Sequence, residues 1–267
     1  MKPKAGFYNF SGCSGCLLTI LNCEDNLLDV FGAAHGVSFL MANRGNVDET
    51  WHSGRKPGSE ANLDVAFIDG SVTTREQEQF LREIRERSKL LVALGVCACY
   101  GGVQAMESGK GTFPRRYRNV YGANPPTVVE PFESKPLDAF VKVDYCIPGC
   151  PIDGKQFLHA YARIVRGLPP ELPKVPVCTE CKWHENECLL LKGELCLGPV
   201  TAAGCSARCP LHNTGCIGCF GPADERNLTS EVDLLRSKKF NLETVERKLR
   251  LFGGARFHEA FKKLVRE

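Results

Sequence analysis

The segment from Cys178 to Cys219, CTECKWHENECLLLKGELCLGPVTAAGCSARCPLHNTGCIGC, constrains this chain more than any other: eight of its 42 residues are cysteine, out of 15 in the whole protein. It has few apolar residues, so whatever the thiols bind must supply much of the folding energy. Disulfides suit it poorly, because the cysteine total is odd, no secretory leader precedes the segment, and 267 residues are enough for an ordinary core. Zinc suits the pairs Cys178-x2-Cys181 and Cys216-x2-Cys219. Zinc ribbons, however, usually set two such pairs about 15–20 residues apart, and here Cys188, Cys196, Cys205 and Cys209 fall irregularly between them. Iron–sulfur clusters take four thiolates each, often with a Cys-Pro step such as Cys209-Pro210. Eight ligands then make two clusters, most simply Cys178, Cys181, Cys188 and Cys196 followed by Cys205, Cys209, Cys216 and Cys219; spacing also allows an interleaved partition.

Upstream, residues 4–165 alternate short apolar runs with amphipathic stretches, the pattern of a parallel α/β sheet. Strands are expected at AGFYNF (5–10), VSFLM (37–41), LDVAFIDG (63–70), KLLVALG (89–95) and VKVDY (141–145). Helices are expected from Leu17 to about Phe31, from a capping box at Thr73 and Glu76 to about Arg87, and from Lys155 to about Val165. Cys13 and Cys16 follow the first strand, Cys97 the fourth and Cys150 the last, each beside glycine. Ligands of open α/β sheets bind beyond the carboxyl ends of the strands. Four cysteines distant in sequence therefore converge on one rim, with enough thiolate for one cubane cluster. Cys23 falls within the first helix, where cysteine acts as a small hydrophobe. Cys99 and Cys146 each neighbour a proposed ligand and are alternatives to it.

The proline-rich run 167–176 resists helix and strand alike and divides the chain into domains at 1–167 and 168–267. Residues 43–62 read as a glycine-rich polar loop. Residues 104–136 show no periodicity, and a loop of that length in a compact domain usually wraps a partner or serves function. His184 and His212 lie near the cysteine sets but add nothing that eight thiolates lack. Asn241 is placed to cap a helix over Leu242–Phe252, Gly253 to stop it, and Arg256–Arg266 forms a last charged helix with a solvated face. A net charge of +3, with both signs interleaved, excludes a nucleic-acid partner. The longest apolar run, Leu90 to Cys99, is about half of a membrane span. With a strand starting so near Met1 there is no room for a signal peptide, and the expected location is the cytoplasm.

Gly12-Cys13-Ser14-Gly15-Cys16, then Gly95-Val96-Cys97-Ala98-Cys99-Tyr100-Gly101-Gly102, then Pro148-Gly149-Cys150-Pro151, resemble in order the proximal-cluster motifs of the small, electron-transferring subunit of nickel–iron hydrogenases. The resemblance covers nearly the whole chain. It implies a flavodoxin-like first domain, a cluster-bearing second domain, and a large-subunit partner that holds the nickel–iron centre. Cys196-Leu197-Gly198-Pro199-Val200-Thr201 and Ala203-Gly204-Cys205-Ser206-Ala207-Arg208-Cys209-Pro210 resemble more specifically the delta subunits of cytoplasmic sulfhydrogenases and NADP-linked hydrogenases. Exported members use a histidine where this chain has Cys178, and lack the fourth medial cysteine that Cys209 supplies. The related complex I subunit is less similar, with adjacent cysteines at the first motif and no second domain.

The resemblance implies three [4Fe-4S] clusters: a proximal one on Cys13, Cys16, Cys97 and Cys150, a medial one on Cys205, Cys209, Cys216 and Cys219, and a distal one on Cys178, Cys181, Cys188 and Cys196. It also implies flavin- or NAD(P)-binding and iron–sulfur partner subunits. Two rivals stand beside it. One is the small subunit of a hydrogenase feeding a heterodisulfide reductase; the other is a zinc-stapled interaction protein without catalytic function, which gives no reason for four cysteines at strand ends.

Overall fold

A computed structural model describes residues 2–39, 62–122 and 130–266. Nearly all of the expected 43–62 loop, the end of the second expected strand and the Asn124-Pro125-Pro126 turn lie outside these residues. The chain forms two compact units, Met1–Cys99 with Pro126–Glu171, and Tyr100–Pro125 with Leu172–Glu267.

The first unit is built on five parallel strands: β1 (Lys4–Asn9), β2 (His35–Phe39), β3 (Leu63–Asp69), β5 (Ser88–Leu94) and β7 (Tyr145–Ile147), in the order β2-β1-β3-β5-β7. A short antiparallel pair, β4 (Val72–Thr74) and β6 (Pro131–Lys135), stands apart from that sheet. Counting only the main sheet, the order is that of flavodoxin, with the strand order reversing between β1 and β3. The apolar runs dictate this arrangement. LDVAFID is buried at almost every position, as a central strand covered on both faces must be.

On one face Phe7 and Phe67 stack 4.9 Å apart, and Phe157 and Tyr161 of α6 (Gly154–Ile164) close over them, with Tyr161 Oη donating to Val30 O at 2.7 Å. On the other lies α3 (Arg75–Arg87), whose Leu81 and Ile84 are fully buried. Its cap is Thr74, one residue later than the expected Thr73, and the partner is Gln77, not Glu76. Thr74 Oγ1 accepts from Gln77 N at 3.2 Å while Gln77 Oε1 accepts from Thr73 N at 2.8 Å. Gln77 wins because its side chain is also needed inward, where Nε2 donates to Ser11 Oγ at 2.9 Å.

Two expectations fail for local reasons. The single helix over 17–31 is broken into α1 (Gly15–Leu21), a 3-10 turn (Glu24–Asn26) and α2 (Leu27–Ala33). Cys23 sits in the break, and Leu28 beyond it is exposed. The strand at 141–145 starts only at Tyr145, because Val141 N is still donating to Leu137 O in the preceding turn.

In the second unit, residues 104–122 of the expected 104–136 loop are less irregular than their composition suggests: α5 (Phe113–Tyr121) opens with Pro114 in its first turn, a place where proline's missing N–H costs nothing, and packs Phe113, Tyr117 and Tyr121 together at i, i+4 spacing. The cysteine loops have an apolar core of their own. Val177, Leu197, Val200 and Ala207 share a core with Val232 and Leu235 of α9 (Leu228–Ser237) and Val245 and Leu249 of α10 (Leu242–Arg266). The expected solvated charged helices thus have apolar faces that cover the cysteine region. Asn241 caps α10, its Oδ1 accepting from Thr244 N at 3.1 Å. The break in α10 is at Gly254, not Gly253: its φ is +53°, and a side chain there would bring Cβ to 2.5 Å from Tyr100 O. Among the described residues no helix is long and apolar enough to cross a membrane.

Candidate iron–sulfur sites

None of the fifteen cysteines is in a disulfide. At the carboxyl rim of the sheet, the loops after β1 and β3 are zipped together: Phe10 N donates to Asp69 O at 2.7 Å, Ser11 N to Ser71 O at 3.0 Å, and Ser71 N to Ser11 O at 2.8 Å. This fixes the loop carrying Cys13 and leads Cys16 into the first turn of α1. Cys97 enters from α4 (Gly95–Tyr100), directly after β5, and Val96 N ties that turn to Gly149 O at 3.0 Å, next to Cys150. Cys16 and Cys97 interact electrostatically, as do Cys13 and Cys150. The rim is drawn in by glycine. A Cβ on Gly15 would lie 3.2 Å from Cys13 Sγ, and one on Gly95 would collide with Cys16 Sγ.

Reasoning from cysteines alone misses Asp69. Its carboxylate closes β3, is 2% exposed, and has Oδ2 without a hydrogen-bond partner among the described residues. Burial raises its pKa, opposed by the Cys16 thiol and the amides of Gly70, Leu17 and Cys16. Burial first, and then Asp69, push the Cys16 thiol up; burial, Cys13 and Asp69 do the same to Cys150. The one signal in sequence is an acid ending an otherwise apolar strand. Cys23 donates to Thr19 O at 3.3 Å and Cys99 to Ala93 O at 3.6 Å, while Cys146 lies in β7 opposite Ala93.

In the second unit, α7 (Val177–Trp183) carries Cys178 and Cys181. Burial, then Cys196, Cys181, Glu231 and Cys188, push Cys178 up to about 12. The Cys196 sulfur, also raised by burial, accepts from Cys216 N at 3.2 Å. Gly198 leaves room between sulfurs, since a Cβ there would be 3.3 Å from Cys178 Sγ and 3.4 Å from Cys196 Sγ. Cys205 precedes α8 (Arg208–Leu211), which holds Cys209, and the two interact. Cys216, raised by burial, interacts with Cys196 and Cys219. His184 and His212 are exposed.

Among the described residues no three Cys, His, Asp or Glu side chains are grouped to hold a single metal ion. A cubane spreads four thiolates over four irons. The donor set fits such a group: each set includes thiols that burial pushes up, Cys16 and Cys150, Cys178 and Cys196, Cys205 and Cys216, which favours the protonated thiol until a bound metal displaces the proton.

With this geometry in view, comparison with known proteins defines the class: the chain belongs to the NADH ubiquinone oxidoreductase, 20 Kd subunit family, which matches residues 13–164. It is 39% identical over 251 residues to sulfhydrogenase 2 subunit delta of Pyrococcus furiosus, covering 93% of this chain and 98% of that one. It is 33% identical to a subunit of the F420-non-reducing hydrogenase of Methanocaldococcus jannaschii, covering 84% of each. In fold it resembles the actinobacterial-type NiFe-hydrogenase from Ralstonia eutropha H16, with a TM-score of 0.59 and 17% identity over 91% of each chain.

Proposed function

We propose that this chain is the electron-transfer small subunit of a cytoplasmic nickel–iron hydrogenase. It would relay electrons between the nickel–iron centre of a large-subunit partner and a flavin- or NAD(P)-linked partner. The observation that carries this reading is the gathering of Cys13, Cys16, Cys97 and Cys150 from the ends of three parallel strands onto one glycine-lined rim. The likeness to a sulfhydrogenase delta subunit over nearly the whole chain supports it.

Clusters bound to the three thiol sets supply one-electron transfer. The protein's own contribution is to hold the ligands, exclude water and set the local charge. Cys13, Cys16, Cys97 and Cys150 would hold the proximal group, with Asp69 as its nearest fixed acid. Cys205, Cys209, Cys216 and Cys219 would hold the medial group, and Cys178, Cys181, Cys188 and Cys196 the distal one. The Cys216 N–H donating to Cys196 Sγ would then join the medial and distal sets directly. Hydrogen bonds to sulfur of this kind are a recognised lever on cluster potential.

Anaerobic purification followed by iron and sulfide analysis tests the ligand count. Three four-iron clusters require about 12 irons and about 12 sulfides per chain. About four irons accompanied by zinc would refute the two-cluster reading of the second unit. Mass spectrometry of the co-purifying subunits tests the partners.

A further inference from the structure

Glu180 stands between Cys178 and Cys181 in α7, yet its contacts belong to the other thiol set. On a helix Cys178 and Cys181 share one face and Glu180 points from the opposite one. Its Oε1 accepts from Gly204 N at 2.8 Å and its Oε2 from Ala207 N at 3.1 Å, while Oε2 lies 4.0 Å from Cys205 Sγ. The arm it grips is conformationally unusual. Gly204, Ser206 and Ala207 have φ of +127°, +55° and +49°, so two residues with side chains occupy the left-handed region in succession. Amides turned inward by such a backbone form a concave site for an anion. Ala207 is fully buried, so without Glu180 its N–H would be left with the Cys205 sulfur alone. The same carboxylate places negative charge beside the Cys205 sulfur, opposed there by the amides of Arg208 and Ala207.

We propose that Glu180 is a positioning residue that acts across the two sets: from the helix of the Cys178 set it fixes the Cys205 arm and lowers the reduction potential of the cluster held through Cys205. This rests on the two-cluster reading of the second unit. An acid beside a ligand sulfur disfavours the added electron, and anchoring it in the neighbouring set's helix makes the two sites one mechanical piece.

The test is an EPR-monitored redox titration of the full-length chain, purified anaerobically, as the unchanged protein, Glu180→Gln and Glu180→Ala. Cys205→Ser and Cys178→Ser mark which signal belongs to which set. Glu180→Gln keeps the shape and one acceptor but not the charge. It should retain all iron and shift only the Cys205-set signal to higher potential, on the order of a tenfold change in the reduction equilibrium. Glu180→Ala should lose the Cys205-set signal and keep the other two. The inference falls if neither variant differs from the unchanged chain, if the shift follows the Cys178 marker, or if both variants lose every cluster, which would assign Glu180 to folding alone. Should the unchanged chain itself lack two clusters in this unit, the reading beneath the inference falls with it.

Discussion

Cys13 and Cys23 are both cysteines of the first sixty residues, yet their surroundings assign them opposite consequences. Cys23 is part-buried in a helix break and bonded to the Thr19 carbonyl, so Cys23→Ala should cost a packing term of about 1 kcal/mol and leave every cluster spectrum unchanged. Cys13→Ala should remove or convert the proximal cluster; an unchanged set of clusters by EPR and iron analysis would show that the strand-end ligands are misassigned. Glu231 offers a pH test. Burial pushes its carboxyl from 4.5 to about 7, and its Oε1 has no hydrogen-bond partner among the described residues. The folded chain therefore favours the protonated acid. That stabilisation is complete below the unfolded value of 4.5 and is lost as pH rises through about 7, a change of about 3 kcal/mol. Anaerobic unfolding midpoints should fall over this window, and Glu231→Gln should flatten the fall.

At the scale of elements, the β4–α3 junction links a helix cap to the cysteine-bearing rim. Thr74 caps α3, and Gln77 of its first turn reaches Ser11 in the loop that precedes Cys13. Thr74→Ala should cost about 1 kcal/mol of stability, read as a lower midpoint in denaturant, with iron content unchanged; loss of iron would mean that the cap also holds the rim. The strands were legible because buried parallel strands are nearly continuous apolar runs, and LDVAFID and KLLVAL are of that kind. What was hidden was set by tertiary context. The capping residue moved by one because Gln77 had an inward partner. The first helix broke at Cys23, although its hydrophobic spacing ran on to Phe31. The helix Phe113–Tyr121 escaped notice because Phe113-Pro114 reads as a breaker unless proline is recognised in the first turn. The cysteines could be singled out as candidate ligands from spacing and strand ends, since cysteine declares its chemistry. Asp69 shows in sequence only as an acid ending an apolar strand, and Glu180 not at all, because a carboxylate's surroundings appear only in the fold.

For the molecule as a whole, the division of labour implies that this chain alone has no hydrogenase activity. Hydrogen chemistry needs an open coordination position on a reactive metal, whereas a cluster held by four thiolates has each iron's protein position filled and suits electron transfer. Asp69 and Glu231, buried acids beside the thiol sets, adjoin the Cys16 and Cys178 thiols. Reconstituted with iron and sulfide, the isolated chain should accept electrons from a strong reductant yet neither consume nor evolve hydrogen. Adding the nickel–iron partner should produce hydrogen-dependent dye reduction. Cys150→Ala should then block that reduction without removing nickel from the partner, because the rim of the sheet would have lost one of its four thiols while the partner's centre stayed intact. Hydrogen-dependent dye reduction by the purified single chain, with nickel and the partner shown to be absent by metal analysis and mass spectrometry, would overturn the assignment of electron transfer to this subunit and hydrogen chemistry to its partner.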